Sequence, residues 1–232
     1  MGYCGDKYKV FMVFILMATY NIRSIEQLKN IRRHEAGIVL GINRVPSKLR
    51  VRRWLHEVSE KKISAQLLKD FFCYQLRAGL VGMWLWFTDG HLLPYTGKEK
   101  VHSGYNTQRR MPVAGRTNLV TSDSSGRIVD FEIQEGKGDL RGYILNLNKR
   151  WQDELIEAPV QVFDREGYAS EFFHSLLDNQ VCFVTWEKYI DTDKLDAFAP
   201  EMFTECFEFN GKTYRIFEGE KTFSYKFEDG SE

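Results

Sequence analysis

Apolar residues recur at helical spacing through the first third of the chain. The run Val10–Ala18 predicts a buried helix, because its nine apolar residues fall well short of the ~20 that cross a bilayer. Ser24 and Gln27 have the spacing of a capping box, which marks the start of a helix. Two further segments repeat the helical pattern, Leu49–Val58 and Ser64–Gly79. The sequence therefore predicts a helical segment over residues 1–79.

After Gly79 the pattern changes to short apolar segments that alternate with helical ones. Strands are predicted, in chain order, at Val81–Thr88, Thr117–Thr121, Arg127–Ile133, Pro159–Phe163 and Val181–Thr185. The turn sequence Asp123–Gly126 joins the second and third strands into a hairpin. Helices are predicted at Asp139–Trp151 and Ala169–Leu177, and residues 91–116 are predicted to be irregular. This alternation favours an α/β layer architecture with a largely parallel sheet.

The last part of the chain, residues 191–232, has the period of β-strands. Strands are predicted there at Cys206–Phe209, Thr213–Phe217 and Thr222–Phe227. The dipeptide Asn210-Gly211 lies between the first two and is a strong hairpin signal. We therefore expect an antiparallel β unit that follows an α/β core over residues 80–190.

The charge of the chain is unevenly distributed. Hydrophobic residues make up 43% of the 232 residues and aromatic residues 14%, which suffices for a core and excludes general disorder. Lys and Arg together number 32, as do Asp and Glu, so the formal net charge is zero. Residues 1–80 nevertheless carry 15 basic and 6 acidic side chains, whereas residues 151–232 carry 7 and 19. The basic first part can bind a polyanion.

Cysteine usage and the amino-terminal pattern predict an intracellular protein without a membrane partner. The four cysteines have no zinc-binding spacing and are expected to be reduced thiols: Cys4, Cys73, Cys182 and Cys206. Asp6 before the apolar run and the lack of a small-residue cleavage site argue against a secretion signal. Neither a GxxxxGK[ST] phosphate loop nor a GxSxG nucleophile elbow occurs in the sequence.

Two aspartates occupy positions where open α/β sheets bind ligands. Asp89 and Asp164 each follow a predicted strand, at its carboxyl end. If the two strands are neighbours, the carboxylates repel each other, and a divalent cation between them removes that cost. Mg²⁺ prefers such oxygen ligands and keeps several waters. An aspartate before glycine is more often a turn former or a helix cap, so position alone leaves this structural alternative open.

The segment that follows Asp89 mixes cations with aromatic rings. Its cations are Lys98, Lys100, Arg109, Arg110 and Arg116, and its rings are His91, Tyr95, His102 and Tyr105. This composition suits contact with phosphates and unstacked bases, and equally a solvated loop whose tyrosines pack on the sheet. A second basic run, residues 44–53, suits either phosphate contact or a solvated helix face.

These segments resemble DDE transposases of the insertion-sequence type. Phe87–His91 and Pro94–Lys98 are similar to the block that carries the first aspartate. Gly104–Arg110 and the hairpin that ends in Asp130-Phe131 are similar to the next block. Val162–Tyr168 is similar to the block that carries the second aspartate. The resemblance covers most of the predicted α/β core.

The resemblance implies a ribonuclease H-like fold, with a mixed sheet flanked by helices, an amino-terminal helical DNA-binding segment and a carboxyl-terminal β insertion. It implies that Asp89 and Asp164 bind two Mg²⁺ or Mn²⁺ ions for DNA strand cleavage and strand transfer. The implied partner is DNA, both transposon ends and target, bound by a homo-oligomer. The DNA-binding residues would be Lys98, Lys100, Arg109, Arg110, Arg116 and Arg165.

The third acid of this family has no clear counterpart in the sequence. Such enzymes carry a Glu or an Asp on a helix after the last core strand, and in several members a β-rich insertion precedes that helix. Residues 206–227 are similar to this insertion, so we expect the third acid beyond residue 232, with Glu187 as the weaker substitute. A non-catalytic DNA-binding transposase remnant and another ribonuclease H-like nuclease are the alternatives to an active transposase.

Overall fold

The computed structural model describes residues 4–61, 63–106, 109–155, 157–188 and 198–220. The chain forms two compact units, residues 1–71 and 72–232. In the described parts of both units, no helix is long and apolar enough to cross a membrane.

The first unit is helical, as its apolar spacing predicts. Its helices are α1 (Cys4–Thr19), α2 (Arg33–Val39), α3 (Lys48–Glu60) and the first turns of α4 (Ser64–Arg77). The predicted capping box is present at a short 3-10 helix, Ile25–Asn30, where the Ser24 N–H donates to Gln27 Oε1 over 3.2 Å. The core of the unit consists of Val10, Val13, Leu16, Leu28, Val45 and Val51.

The second unit is built on a mixed sheet. Its strands are β1 (Leu85–Pro94), β2 (Ser103–Asn106), β3 (Met111–Asp123), β4 (Ile128–Glu135), β5 (Val160–Phe163) and β6 (Phe183–Thr185). Helix α5 (Leu140–Trp151) connects β4 with β5, and helix α6 (Ser170–Asp178) connects β5 with β6. The sheet order is β2-β3-β1-β5-β6, and β4 also pairs with β3.

The topology confirms the predicted ribonuclease H-like fold. Along β4-β3-β1 the neighbours are antiparallel, whereas β5 and β6 continue on the other side of β1 in parallel, each after a helix. The expectation of a largely parallel sheet was wrong for the first half. The predicted β3–β4 hairpin is antiparallel, as a tight turn requires, and β3 also pairs antiparallel with β1.

The first strands are longer than the sequence predicts. The pattern predicts a strand that ends at Thr88 and an irregular segment over residues 91–116, but β1 continues to Pro94 and β3 begins at Met111. The glycines within these segments do not interrupt the ladder, since pairing uses backbone N–H and C=O groups that glycine also has. Gly90, for example, stays in register within the β1–β3 pair.

The core of the second unit lies against one face of this sheet. Trp86 of β1 and Phe163 of β5 point into it, together with Leu119 of β3 and the apolar face of α5. The centre is the fully buried ring of Phe72 on α4. Its centroid lies 4.1 Å from the ring of Trp151 and 5.9 Å from that of Trp86. This cluster holds the central strands in place.

We expect Phe72→Ala to lower the free energy of unfolding of the second unit by about 3–5 kcal/mol, because it leaves a cavity between two tryptophan rings. The neighbouring Phe71 is 57% exposed, so Phe71→Ala should stay within about 0.5 kcal/mol of the parent. Urea unfolding followed by tryptophan fluorescence measures both. Equal losses in the two variants would contradict this description of the core.

A buried carboxylate connects the segment before β1 with the β3–β4 turn. Asp123 accepts hydrogen bonds from the N–H groups of Gly82, Ser125 and Arg127 over 2.8–2.9 Å. Burial by itself raises the pKa of Asp123, but these three N–H donors outweigh it and lower the pKa below its usual value. The predicted turn at residues 123–126 is confirmed, with Gly126 at a positive φ of 77°.

Asp123→Asn should destabilise the second unit by about 1–3 kcal/mol at pH 7, because the amide turns a second donor toward the Gly82 N–H. Since the pKa of Asp123 is lowered in the folded state, its stabilisation is present above the unfolded pKa and is lost as pH falls through the folded value. The difference between parent and variant should therefore narrow below about pH 4. Urea unfolding at several pH values tests this, with the exposed Asp153→Asn as control. A difference that grows toward acid pH would contradict it.

The carboxyl-terminal hairpin is confirmed where the structure describes it. Strands β7 (Glu205–Phe209) and β8 (Lys212–Ile216) are antiparallel and form a separate two-stranded sheet. Asn210 and Gly211 both have positive φ, 51° and 71°, as a tight Asn-Gly turn requires. The third predicted strand, Thr222–Phe227, lies outside the described residues.

Candidate active site and nucleic-acid surface

The strand register brings Asp89 and Asp164 to neighbouring positions. Thr88 of β1 lies opposite Phe163 of β5 in parallel pairing, so each aspartate is the next residue on its own chain segment. Neighbouring strands are about 4.8 Å apart. Thr88 and Phe163 are buried, and alternation turns the two aspartates toward the opposite side, where both are exposed. The two carboxylates therefore share one side of the sheet.

The position of Asp89 within its strand differs from the prediction. Asp89 does not end β1 but is its fifth residue, opposite Val120 of β3. Strand β5 does end at Phe163, and Asp164 then caps the short 3-10 helix Arg165–Gly167. The difference arises because β3 pairs with β1 beyond the point where β5 stops. The sequence pattern could not show which neighbour determines where β1 ends.

Backbone N–H groups orient both carboxylates. The Gly90 N–H donates to Asp89 Oδ1 over 2.8 Å, and the Glu166 N–H donates to Asp164 Oδ1 over 2.9 Å. Within the described chain, neither Oδ2 atom has a hydrogen-bond or ion-pair partner. The Thr185 hydroxyl donates to the carbonyl of Asp164 over 3.0 Å, which fixes the end of β6 beside it. One oxygen of each aspartate thus remains for a ligand.

The donor set fits one divalent cation. Two exposed carboxylates on adjacent strands supply the hard oxygen ligands that Mg²⁺ and Mn²⁺ prefer, and their exposure leaves room for water ligands. A second ion needs a further anionic ligand. In the part of the chain that the structure describes, no three Asp, Glu, His or Cys side chains come together at a distance suited to a metal ion. Glu187, whose Oε1 lies 3.5 Å from the Tyr168 hydroxyl, therefore does not complete such a group.

Asp130, in the block after the first aspartate, is buried instead of facing the site. It is 1% exposed, and its carboxylate lies 3.4 Å from Arg150 Nη1 and 3.3 Å from Trp151 Nε1. Burial raises the pKa of Asp130, and the Arg150 charge offsets only part of that effect. This aspartate belongs to the core of the second unit and supplies no ligand to the exposed edge.

A chain of hydroxyl groups supports β1 beneath Asp89, and the sequence analysis missed it. Thr88 Oγ1 and Thr121 Oγ1 are 2.8 Å apart, and Thr121 Oγ1 donates to the Tyr143 hydroxyl over 3.2 Å. Burial raises the pKa of Tyr143, so the phenol stays neutral. The contact joins β1, β3 and α5. Thr88 and Thr121 each end a predicted strand, and this was the available signal, because a hydroxyl that becomes buried needs a partner.

The predicted DNA-binding cations are all exposed, but they lie on different segments. Lys98 and Lys100 precede β2, Arg109 and Arg110 lie between β2 and β3, Arg116 is on β3, and Arg165 follows Asp164. Arg116 also has partners within the chain, since its Nη2 lies 3.7 Å from Glu99 and its guanidinium lies 5.6 Å from the centre of the Tyr95 ring. Exposed contacts of this kind are weak, so they leave Arg116 able to bind a phosphate.

The basic run of the first unit is partly engaged within that unit. Glu26 pairs with Lys48 over 3.0 Å and also with Arg52. The hydrogen bond from Lys48 lowers the pKa of Glu26 more than any other contact, and the nearby Arg52 adds to it. Two of the cations between residues 44 and 53 therefore have an acidic partner on the surface.

A cavity of about 480 Å³ lies beside Gly90 of β1 and Leu119 of β3, on the face of the sheet opposite to the two carboxylates. Its wall is formed by Gly90, His91, Leu92, Pro94, Tyr105, Asn106, Arg109, Thr117, Leu119, Lys137, Gly138, Leu140 and Glu166. Gly90 and Glu166 are the same residues whose N–H groups hold Asp89 and Asp164. No local pattern marks Lys137 or Asn106 as cavity residues, because they reach the cavity only through the folding of β2 and α5 onto β3.

Together the strand order and the register define a ribonuclease H-like α/β domain whose central strand and its parallel neighbour carry adjacent aspartates. No family model matches the chain, and no curated protein matches it.

Three solved structures to which the chain is similar are a piggyBac transposase synaptic complex with hairpin DNA, a Mos1 mariner paired end complex with Mn and a simian T-cell lymphotropic virus intasome in complex with PP2A regulatory subunit B56 gamma. The identities are 14%, 12% and 13%, with TM-scores of 0.45, 0.31 and 0.28. The matches cover 88%, 68% and 54% of this chain but only 45%, 56% and 41% of those chains. Sequence identities and TM-scores this low do not carry an activity over to this chain.

Proposed function

We propose that the chain is a DDE transposase of the insertion-sequence type, which cleaves and transfers DNA strands with divalent metal ions. The observation that carries the proposal is the register between β1 and β5, which sets Asp89 beside Asp164 on the central strands of a ribonuclease H-like sheet. The residues around both aspartates also resemble the two aspartate blocks of that family.

In this proposal the two aspartates hold the metal and the cations hold the DNA. A divalent ion bound between the carboxylates would activate the attacking oxygen and stabilise the leaving one. The N–H groups of Gly90 and Glu166 keep one oxygen of each aspartate fixed, so that the other oxygen faces the ligand. The exposed Arg109, Arg110 and Arg165 would bind the phosphates on either side of the scissile bond.

The remaining segments have DNA-related roles in this proposal. Residues 1–79 would form a helical DNA-binding segment, residues 80–190 the catalytic core, and residues 191–232 the β-rich insertion. The DNA partners would be transposon ends and target, bound by a homo-oligomer.

A non-catalytic DNA-binding protein is the second candidate. It is favoured by the lack of a third acidic group beside Asp89 and Asp164 among the described residues. Such a protein would keep the exposed cations and a single weak metal site, and it would bind DNA without turnover.

Mn²⁺ binding and DNA cleavage separate these two candidates. We expect Asp89→Asn and Asp164→Asn each to lower Mn²⁺ affinity by at least about tenfold and to abolish cleavage of labelled DNA, because each removes one of two anionic ligands. Calorimetric titration with Mn²⁺ and a gel assay measure the two effects.

The matched control for this experiment is Asp153→Asn, an exposed aspartate just after α5, which should bind Mn²⁺ like the parent. Metal binding that depends on the two aspartates without any cleavage supports the non-catalytic candidate. If both site variants bind metal and cut DNA like the parent, the proposed site is wrong.

DNA affinity should fall steeply with salt. Each phosphate contact adds about −0.9 to the slope of log affinity against log salt concentration, so the double variant Arg109→Ala/Arg110→Ala should make the slope shallower by about 2. Fluorescence anisotropy with a labelled duplex measures it. Arg215→Ala, an exposed arginine on β8, is the matched control and should leave the slope nearly unchanged. Affinity that does not change with salt would contradict DNA binding through these cations.

A further inference from the structure

The turn that follows β5 orients Asp164, one of the two candidate metal ligands. It consists of residues 165–168 and contains the short 3-10 helix Arg165–Gly167. The Glu166 N–H donates to Asp164 Oδ1 over 2.9 Å, and the Gly167 N–H donates to the Asp164 carbonyl over 3.1 Å. The direction of the Asp164 carboxylate therefore depends on the conformation of four residues.

Such a short turn needs contacts from elsewhere, because a first helical turn fixes several dihedral angles for a single hydrogen bond. The sheet supplies two of these contacts. The Thr185 hydroxyl of β6 donates to the Asp164 carbonyl over 3.0 Å. Gly167 lies so close to the ring of Phe163 that a Cβ on it would overlap that ring. Neither contact involves the carbonyl groups at the end of the turn, which a helix of this length leaves without an internal partner.

Arg141 of α5 donates hydrogen bonds to those carbonyl groups. Its Nη2 lies 3.2 Å from the carbonyl oxygen of Glu166 and 3.4 Å from that of Tyr168. Among the residues that the structure describes, no carboxylate pairs with the Arg141 guanidinium. Each of the two bonds is long, but one nitrogen that bonds two carbonyl groups of the same turn fixes their spacing. The guanidinium thus holds the turn from the side opposite to the sheet contacts.

The start of α5 is itself well held, so Arg141 extends from a fixed backbone. Asp139 caps the helix, since its Oδ1 accepts from the Gly142 N–H over 3.0 Å. The Asp139 N–H in turn donates to Gln134 Oε1 over 2.7 Å. Leu140, directly before Arg141, is buried in the core of the second unit. The arginine therefore connects a fixed helix end with the turn after β5.

We propose that Arg141 is a positioning residue for the candidate metal site, which keeps the Glu166 N–H in place to hold one oxygen of Asp164. The proposal rests on the function proposed above and adds a residue that acts through backbone hydrogen bonds instead of through contact with the metal. Without the guanidinium the turn loosens, and Asp164 presents its second oxygen to a metal ion in several orientations instead of one.

The test measures Mn²⁺ affinity by calorimetric titration in variants that separate the hydrogen bonds of Arg141 from its packing and its charge. Arg141→Met keeps most of the side-chain stem and removes the donors, so we expect it to lower Mn²⁺ affinity about tenfold. Arg141→Lys keeps a donor and should bind Mn²⁺ within about twofold of the parent. Loss of a positive charge by itself raises the affinity for a cation, so a fall in Arg141→Met cannot come from charge. A rise in that variant overturns the proposal.

Amide hydrogen exchange of the metal-free protein reports on the turn directly. We expect the Glu166 amide to exchange at least about tenfold faster in Arg141→Met than in the parent, while the amide of Leu147 in the middle of α5 keeps its rate. The matched control is Lys149→Met, which removes an exposed cation from the last turn of the same helix. It should change neither the exchange nor the Mn²⁺ affinity. Unchanged exchange at Glu166 in Arg141→Met overturns the proposal, as does an equal loss of affinity in Lys149→Met.

Double variants separate a local role from general destabilisation. If Arg141 acts through Asp164, Arg141→Met should add almost no loss of Mn²⁺ affinity to Asp164→Ala, which has no carboxylate to orient, but should add its full effect to Asp89→Ala. A further loss in both backgrounds overturns the proposal. A parent that binds no Mn²⁺ removes the proposed metal site and this role together, whereas normal Mn²⁺ binding and DNA cleavage by Arg141→Met remove only the role of Arg141.

Discussion

The parallel pairing of β1 with β5 is the constraint on which the candidate site depends. It places two aspartates, far apart in the chain, on adjacent strands at a spacing of about 4.8 Å. Two carboxylates on adjacent strands repel each other, so the strands must be held by contacts elsewhere. Those contacts lie on the opposite face, where Trp86 and Phe163 are buried in the core. The sheet thus separates packing on one face from ligand chemistry on the other.

The same sheet also forms part of the cavity wall, through residues of β1, β2 and β3. Strand β3 extends beyond the end of its pairing with β1 and there takes β2 as a neighbour. This pairing places Tyr105 and Arg109 in the same cavity wall as Gly90 and Glu166. Gly90, the residue after Asp89, has room for no larger side chain without pressing on Leu119, since a Cβ there would lie 3.1 Å from its Cδ2.

Local signals in the sequence predicted local structure well. The capping box at Ser24, the turn at residues 123–126 and the Asn210-Gly211 hairpin are all present, because each depends on the conformation of a few consecutive residues. The limits of β1 and β3 were predicted less well, since strand ends depend on the length of the neighbouring strand. The buried Asp130 and the hydroxyl chain from Thr88 to Tyr143 were not distinguished from surface residues, because their burial depends on contacts with the distant helix α5.

The sequence by itself determined the helical first unit, the alternation that makes the second unit α/β, and the two aspartates as the residues to examine. Periodicity and turn chemistry carry this information, because they act between residues close in the chain. Only the tertiary structure decided that β1 pairs antiparallel with β3 and that Asp89 and Asp164 are neighbours. It also decided which cations and rings meet at one cavity. These are contacts between segments tens of residues apart, and they are set by the packing of buried side chains from several elements at once.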